Sequence, residues 1–362
     1  MTTPQMEPWF GDEEAEAVYA YMRSGGWVTE FAKTREFERL IAGYTGTKYC
    51  SVTTNGTTAL FLALHASGIT AGDEVIVPDY TMVASANAAA LTGAEVVLAD
   101  IEEETLCLDF KSLEAVATEK TKAIVLVSIN GRYPLSLDNI LAFARERGIK
   151  VIEDAAQSLG SFRGGKHAGL FGDVGCLSFS SQKIISTGQG GAVITNDQKI
   201  MERVLKLRDF GREKSGEDHY LTMGWNFKFT DLQAVVGIEQ MQKLAWRVER
   251  KKEIYKFYRE HLQGISGISF IPTDLDQVCP WFIDILMESR REDLMAFLKD
   301  HDIGSRPFYP ALHATAVYNR KESHPVAERI ARQGLWLPSA SQLRDEQIAK
   351  ICESIKEFFK SD

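Results

Sequence analysis

The stretch Val151-Ile-Glu-Asp-Ala-Ala-Gln157 decides the fold of this chain, because an apolar run ends there in a carboxylate and an amide. Such a run is typical of a buried strand in a parallel sheet. Open α/β sheets bind their ligands in the crevice beyond the carboxyl ends of their strands. We therefore expect Asp154 and Gln157 to line a ligand-binding crevice.

A lysine stands in a second informative stretch, Ser178-Phe-Ser-Ser-Gln-Lys-Ile-Ile-Ser-Thr-Gly-Gln-Gly-Gly191, between predicted strands at 176–179 and 192–195. A lysine held between two strands can lose solvation, which lowers the pKa of its amine and lets it form a Schiff base with a carbonyl. The ordinary alternative is an exposed loop lysine. Lys183 is therefore the candidate catalytic amine.

The chain from about residue 48 to residue 196 alternates short β-branched runs with helical patterns. This alternation predicts an α/β fold with a mostly parallel sheet that is covered by helices on both faces. Seven strands are predicted, at residues 49–53, 74–77, 95–98, 123–129, 151–153, 176–179 and 192–195. The sequence does not determine their order in the sheet.

Helical patterns flank this region on both sides. Two helices precede it, separated by Gly25-Gly26, and the second covers about 33–44. A long amphipathic stretch at 231–261 predicts a connecting helix. Beyond it, segments at 281–287, 291–301, 306–309 and 345–359 predict α+β structure. We expect a large domain at 1–240, with the N-terminal helices, and a small C-terminal domain at 241–362.

The composition excludes several classes of partner. Forty-one basic residues stand against fifty acidic ones, so the net charge is −9 with neutral histidines. This balance indicates no binding surface for nucleic acid or an anionic membrane. The N-terminus lacks a signal pattern and no window resembles a membrane span, which predicts a cytoplasmic protein. Five scattered cysteines predict reduced thiols, and no metal is expected.

Five strings carry a family resemblance: Asn55-Gly-Thr-Thr-Ala-Leu, Gly72-Asp-Glu-Val-Ile-Val-Pro, Glu153-Asp-Ala-Ala-Gln, Ser178-Phe-Ser-Ser-Gln-Lys and Thr187-Gly-Gln-Gly-Gly. In order and spacing the chain resembles the DegT/DnrJ/EryC1/StrS family of nucleotide-sugar aminotransferases. The resemblance implies a fold-type I transferase with pyridoxal 5'-phosphate (PLP) as its cofactor. It also implies glutamate as amino donor, a nucleotide-linked keto sugar as acceptor, and a homodimer or larger assembly with shared active sites.

The resemblance assigns roles to the residues of the expected crevice. Lys183 matches the Schiff-base lysine, Asp154 the partner of the pyridine nitrogen, and Gln157 a hydrogen-bond partner of the phenolic oxygen. An ionised carboxylate keeps that nitrogen protonated, and the resulting electron sink stabilises a carbanion. The alternative for Asp154 is a strand-end aspartate that caps a following helix.

A phosphate site is expected where a strand meets a helix, at Gly56, Thr57 and Thr58. Free N–H groups and the helix dipole favour an anion there, although an ordinary threonine N-cap is the alternative. By resemblance, Ser178 adds a hydroxyl, and Asn226 reaches the phosphate from the neighbouring subunit. At position 228, near Asn226, the resemblance implies an arginine, but this chain has a lysine. Either Lys228 takes over the role of that arginine, or the role is absent in this chain.

The substrate side departs more from the family pattern. Met82 stands where an aromatic residue often covers the cofactor ring, and a core methionine is the alternative. Residues 304–313 resemble the segment that closes over the sugar. In this segment the resemblance implies that Arg306 binds a carboxylate or phosphate and that His313 binds a sugar hydroxyl or carbonyl, with Tyr309 as a further substrate residue. The alternative for Arg306 is a structural ion pair. The alternative for His313 is a loop histidine whose hydrogen bonds are satisfied within the chain.

The identity of the sugar acceptor and the class of reaction are the remaining points on which the sequence gives information. Within the family, the resemblance is greatest to enzymes that aminate carbon 4 of a GDP-linked 4-keto-6-deoxy hexose, while UDP- and dTDP-sugars and carbon 3 stay open. A nicotinamide enzyme is disfavoured because no GxGxxG opens a helix. A related dehydratase would carry a histidine in place of Lys183. A non-enzymatic PLP-binding regulator would need a further module that the resemblance leaves no room for.

Overall fold

The computed structural model describes residues 2–360 and places a seven-stranded sheet at the centre of the fold. The strands are β1 (Tyr49–Thr53), β2 (Glu74–Pro78), β3 (Glu95–Ala99), β4 (Thr121–Val127), β5 (Lys150–Asp154), β6 (Phe162–Arg163), β7 (Lys166–His167), β8 (Val174–Ser178), β9 (Gly191–Thr195), β10 (Ile268–Phe270), β11 (Ile283–Met287), β12 (Arg306–Pro307) and β13 (Gly334–Leu337). The helices are α1 (Asp12–Arg23), α2 (Ala32–Thr45), α3 (Gly56–Ala66), α4 (Ala84–Leu91), α5 (Phe110–Val116), α6 (Leu137–Arg147), α7 (Gln198–Arg208), α8 (Asp231–Leu262), α9 (Arg291–Asp300), α10 (Pro325–Gln333) and α11 (Asp345–Lys360).

The central sheet has the strand order β1-β9-β8-β5-β4-β2-β3. The pairs from β3 through β2, β4 and β5 to β8 are parallel, whereas β9 runs antiparallel to both β8 and β1. The predicted mostly parallel, seven-stranded sheet is therefore confirmed. Because β5 and β8 are parallel neighbours, Asp154 and Ser178 end their strands at the same edge of the sheet.

Two predicted strands are displaced toward the N-terminus, and one of them, predicted at 176–179, is β8 at Val174–Ser178. The prediction at 123–129 becomes β4 at Thr121–Val127, and Ile129–Gly131 instead forms a short 3-10 helix. Asn130 adopts a left-handed conformation there, with a φ of 52°, which an extended strand does not allow. Asparagine tolerates this conformation better than most residues do, so the apolar pattern alone overestimates the strand.

Helix α3 is buried around most of its circumference, because residues 59–64 are all apolar and lie between the sheet and its neighbours α4 and α7. A helix that is apolar on every side belongs inside the fold. Its burial fixes the position of its first residue, Gly56, beside the carboxyl end of β8. None of the helices within residues 2–360 has the length and apolar character needed to cross a membrane.

The C-terminal part forms a second, antiparallel sheet of order β10-β11-β13-β12. A separate apolar core joins this sheet to α8, α9 and α11. The predicted connecting helix is α8, which continues without a break from Asp231 to Leu262. The division of the chain between residues 240 and 241 would fall inside that helix, and it stays a prediction.

Candidate active site

Lys183 lies in the loop between β8 and β9, where its backbone N–H donates to the Ser180 carbonyl at 2.9 Å. Its amine lies 3.8 Å from the centroid of the Trp281 ring. Burial lowers the pKa of the Lys183 amine to about 8, an effect that the Asp154 charge opposes and the Arg306 charge reinforces. Part of the amine population is therefore unprotonated near neutral pH, as a nucleophile or a base requires.

Trp281 forms the surface against which this amine rests. Its indole N–H donates to the Gln182 carbonyl at 2.8 Å, and its ring stacks on Phe282 with 3.7 Å between centroids. These contacts hold the ring in place from two sides. Sequence reasoning placed Trp281 only at the start of a segment, because nothing local indicates a contact with so distant a loop.

Asp154 is buried at the end of β5 and is held by two donors. The Ser85 hydroxyl donates to Oδ2 at 2.6 Å, and the Ala156 backbone N–H donates to Oδ1 at 3.1 Å. No α-helix follows Asp154 directly, so the helix-cap alternative is wrong. Ser85 lies in α4, far from Asp154 in the sequence, and no motif pointed to it.

Gln157 is oriented by the turn that ends β4. Its Oε1 accepts from the Asn130 backbone N–H at 2.7 Å, which leaves the amino group of the amide as the free donor. Asn130 in turn donates to the Phe282 carbonyl and to Asp284, each at 2.9 Å. A buried ion pair between Asp284 and Arg132, at 2.6 Å, anchors the same turn. This network, which the sequence did not reveal, connects the crevice to the C-terminal sheet.

The first turn of α3 forms a cradle with the end of β8. Asn55 caps the helix by accepting from the Thr58 N–H at 2.9 Å, and the Thr58 hydroxyl donates to the Asn55 carbonyl at 2.8 Å. The N–H groups of Gly56 and Thr57 precede the first intrahelical bond and stay available to an anion. A Cβ on Gly56 would lie 3.0 Å from the Ser178 Cβ, so glycine permits this close approach of α3 to the end of β8.

Met82 lies just beyond the end of β2, and 44% of its surface is exposed. A core methionine would be buried, so that alternative is wrong. Its sulfur accepts from the Ala84 backbone N–H at 3.1 Å, which turns the side chain back over its own loop. The covering of the cofactor ring by Met82 stays a prediction.

Asn226 is exposed and takes part in an isolated antiparallel bridge with Asp209. The neighbouring Lys228 lies 2.6 Å from Asp209 and is therefore engaged within its own chain. An exposed asparagine on an ordered segment is compatible with a contact to another subunit. The structure describes a single chain, so the contact itself stays a prediction.

Arg306 is exposed in β12, and its guanidinium lies 5.7 Å from the Tyr309 ring and 5.5 Å from the Trp336 ring. No carboxylate among residues 2–360 lies within ion-pair distance of it, so the structural ion-pair alternative is wrong. Its charge contributes to the lowered pKa of the Lys183 amine. Burial raises the pKa of the Tyr309 hydroxyl, which therefore stays a proton donor.

His313 is buried, and its Nδ1 lies 2.7 Å from an Asp79 carboxylate oxygen. This placement corresponds to the alternative of a satisfied loop histidine. Its predicted contact with a sugar hydroxyl or carbonyl stays a prediction. Asp79 was not singled out in the sequence, although it directly follows β2.

Comparison with known proteins adds a family to this geometry. Residues 9–356 match the sequence model of the DegT/DnrJ/EryC1/StrS aminotransferase family. The GDP-perosamine synthase of Escherichia coli O157:H7 is 36% identical over 328 residues, which cover 90% of each chain. The dTDP-3-amino-3,6-dideoxy-alpha-D-galactopyranose transaminase of Aneurinibacillus thermoaerophilus is 32% identical over 338 residues, 92% of each chain. The aminotransferase TlmJ of Streptoalloteichus hindustanus has a similar structure, with a TM-score of 0.94, 29% identity and complete coverage of both chains.

Proposed function

Because the chain belongs to the DegT/DnrJ/EryC1/StrS aminotransferase family, we propose that it aminates carbon 4 of GDP-4-keto-6-deoxy-mannose with glutamate, giving GDP-perosamine. The protein is a PLP-dependent sugar aminotransferase. One observation carries the assignment of its active site. The Asp154 carboxylate is buried at the end of β5, and Lys183, whose amine has a lowered pKa, lies in the loop that follows the neighbouring strand β8.

The residues of this crevice fit PLP. The first turn of α3 lies close to the Ser178 side chain, and together they suit a phosphate that would accept from the N–H groups of Gly56 and Thr57 and from the Ser178 hydroxyl. Asp154 would hold the protonated pyridine nitrogen, and the amino group of Gln157 would donate to the phenolic oxygen. When bound, PLP supplies an electron sink for the carbanion formed at the α-carbon of the amino donor.

Lys183 performs two tasks in this proposal. Its amine holds the cofactor covalently between turnovers, and after release it moves the proton of the donor α-carbon. A pKa of about 8 suits both tasks, because the amine is neither permanently charged nor a very weak base near neutral pH. The Trp281 ring, 3.8 Å away, gives the released amine a fixed place from which to act.

Asp154 acts through its charge. Its two oxygens accept from the Ser85 hydroxyl and the Ala156 N–H, which holds the carboxylate in one orientation. The free edge of the carboxylate can then hold the proton of the pyridine nitrogen. This arrangement supports the proposed role more strongly than the motif alone does.

The proposal includes a homodimer in which Asn226 completes the phosphate site of the other subunit. Three observations support it: Asn226 is exposed, and large apolar side chains are exposed both on its own segment and before α2. They are Leu221, Met223, Trp27 and Phe31, which are between 49% and 76% exposed. Clusters of exposed apolar side chains commonly mark protein interfaces. Mixed dimers of a Lys183→Ala chain and a chain weakened at Asn226 should regain activity that neither variant has alone.

The choice of sugar rests on similarity and on the cationic Arg306. A GDP-perosamine synthase is 36% identical over nine tenths of both chains, whereas a dTDP-sugar transaminase is 32% identical over a similar length. Arg306, exposed at the crevice without a carboxylate partner, suits a sugar-nucleotide diphosphate. Both substrates fit that charge, so the similarity favours the GDP-linked sugar.

The decisive assay presents the enzyme, after its amination by glutamate, with GDP-, UDP- and dTDP-linked 4-keto-6-deoxy sugars. Mass spectrometry then measures formation of the amino sugar and absorbance measures return of the starting cofactor. We expect the GDP-linked sugar to give the highest kcat/KM. Conversion of only the dTDP- or UDP-sugars would contradict the GDP assignment, and conversion of none would contradict sugar amination with this donor.

A further inference from the structure

A cavity of about 560 Å³ lies apart from the residues assigned to PLP and to the sugar. We call it the outer cavity, and six of the residues that line it are Thr105, Tyr133, Phe162, Arg163, Arg259 and Thr273. Among the described residues that line it, none is assigned above to the cofactor or to the substrate. Its volume lies within the range of small-molecule sites, about 300–1,000 Å³. The outer cavity therefore has the size of a ligand site that the transfer of the amino group does not use.

One wall of the outer cavity is aromatic. Tyr133 and Phe162 line it, and both are half-buried. The Tyr133 hydroxyl donates to Glu153 at 2.9 Å, and the Phe162 ring packs edge-on against His167 with 5.0 Å between centroids. Both rings are thus held by contacts within the fold. Aromatic side chains held in this way bind flat ring systems by stacking.

Two guanidinium groups line the outer cavity without a partner in the chain. Arg163 is half-buried in the β6–β7 hairpin, and Arg259 is exposed near the end of α8. Within residues 2–360, neither side chain forms a hydrogen bond or an ion pair. Arginine binds phosphate oxygens through its planar fork of N–H donors. Two unpaired arginines at one cavity therefore suit an anion with more than one negative charge.

Two carboxylates also line the outer cavity and limit which anion fits. Asp274 is engaged, because it accepts from the Gln277 side chain at 2.6 Å and from the Asp276 backbone N–H at 3.0 Å. Glu104 is exposed and forms no hydrogen bond or ion pair with the described part of the chain. A free carboxylate accepts from N–H groups. The ligand should therefore carry N–H donors as well as negative charge.

We propose that the outer cavity binds a nucleoside diphosphate. Its base stacks against the aromatic wall and donates N–H groups to Glu104. Its diphosphate lies against Arg163 and Arg259. Inorganic pyrophosphate lacks the ring and a nucleoside lacks the charge, so neither satisfies both parts of the cavity.

The inner wall of the outer cavity leads toward the cofactor. Arg132, which lines the cavity, donates to the Thr273 hydroxyl at 3.3 Å and to Asp284 at 2.6 Å. Asp284 accepts from the Asn130 side chain, and the Asn130 backbone N–H donates to Gln157. A nucleotide that orders this wall also orders Gln157, and it then strengthens PLP binding. This step rests on the proposed contact of Gln157 with PLP.

The test measures hydrogen–deuterium exchange of the PLP-loaded enzyme with and without GDP, at up to about 1 mM GDP. Mass spectrometry resolves the exchange by peptide. We expect protection of residues 131–135, 162–167 and 272–278, which line or border the outer cavity. This result holds with or without protection of residues 304–313, so it does not depend on the sugar that the enzyme accepts. Protection confined to 304–313, or no protection at all, would overturn the proposal.

Substitutions of the two arginines locate the site. Arg163→Ala and Arg259→Ala should each weaken GDP binding about 10- to 100-fold, because each removes a charge-assisted contact. Arg344→Ala removes an exposed guanidinium outside the cavity and serves as the matched control. Guanosine and pyrophosphate should each protect the cavity only at concentrations at least about tenfold higher than GDP does. Equal protection by GDP in the unmodified enzyme and in both cavity variants would contradict the site.

Coupling to the cofactor is measured without turnover. GDP should lower the dissociation constant for PLP at least about fivefold, and PLP should lower that for GDP by the same factor, because such coupling is reciprocal. Absorbance during titration of PLP into PLP-free protein measures the first effect. Arg163→Ala should abolish it. An unchanged dissociation constant for PLP at saturating GDP would overturn the link from the outer cavity to Gln157.

Discussion

The floor of the crevice and its substrate side hold their functional groups in different ways. On the floor, Asp154 and Gln157 are fixed by hydrogen bonds of 2.6 and 2.7 Å from partners within the fold. On the substrate side, Arg306 is exposed and lies over two aromatic rings at more than 5 Å. The difference indicates a rigid centre for the shared chemistry and an adaptable border for recognition of the nucleotide sugar.

The largest expected effect comes from replacing Lys183, the central residue of the floor. Lys183→Ala should lower kcat at least about 1,000-fold, because it removes both the covalent anchor and the proton carrier. Thermal unfolding should change little, since the side chain ends at the crevice and makes no hydrogen bond that holds the loop. Lys48→Ala, an exposed lysine beside β1, serves as the control. Turnover of the Lys183 variant at the normal rate would remove the basis for this account of the floor.

The second test asks whether the floor acts through charge or through packing. Asp154→Asn keeps the shape but removes the charge, and we expect kcat to fall about 100- to 1,000-fold with the fold retained. Ser85→Ala, which removes one donor to that carboxylate, should have a smaller effect in the same direction. If the Asp154 variant unfolds and its remaining folded fraction has normal specific activity, the residue serves the sheet and not the chemistry.

The third test addresses the substrate side. Arg306→Ala should raise KM for the nucleotide sugar about 10- to 100-fold and change kcat less, because a charge-assisted contact is lost in binding. Arg306→Lys should restore part of the affinity, as it keeps the charge without the planar fork. Steady-state kinetics with each substrate varied separately distinguishes the targets. A rise in KM for glutamate alone would assign Arg306 to a carboxylate instead.

The smallest expected effect is a pH dependence of PLP capture by Lys183 on the floor, which Arg306 on the substrate side should shift. In PLP-free protein, the rate of covalent PLP capture should rise about tenfold between pH 7 and pH 9, because the unprotonated fraction of an amine with a pKa of about 8 increases over that range. Arg306→Ala should move the midpoint to higher pH, since Arg306 lowers this pKa. Stopped-flow absorbance measures the capture. A midpoint near 10.5, the ordinary value for lysine, would show that the amine is not desolvated.

The positions of Lys183, Asp154 and Gln157 were predictable because these residues end or follow strands within short contiguous motifs, whereas their roles stay predictions. Lys183, Asp154 and Gln157 could be singled out from the apolar runs before them, and the alternation of strands and helices gave the seven-stranded sheet. The displacement of β4 shows the limit of this approach, because the strand ends at Val127 and a turn containing the left-handed Asn130 begins while the apolar pattern still continues to Ile129.

The residues that support the crevice could not be predicted, because they lie outside the contiguous motifs. Trp281, Asn130, Ser85 and Asp79 contact the crevice or its border through pairings between segments that are distant in the sequence. Their residue types are ordinary in their local surroundings, so no periodicity or spacing marks them. His313 also shows how burial changes an interpretation, since an expected substrate group lies against a carboxylate inside the fold.

The most direct test of the central claim locates the amine that holds PLP. Borohydride reduction fixes the cofactor to that amine, and mass spectrometry of the digested protein identifies the modified lysine. We predict modification of Lys183. Lys251 is the informative competitor, because burial lowers the pKa of its amine to about 7 while hydrogen bonds to two backbone carbonyls engage it. Modification of Lys251, or of any lysine other than Lys183, would contradict the proposed active site.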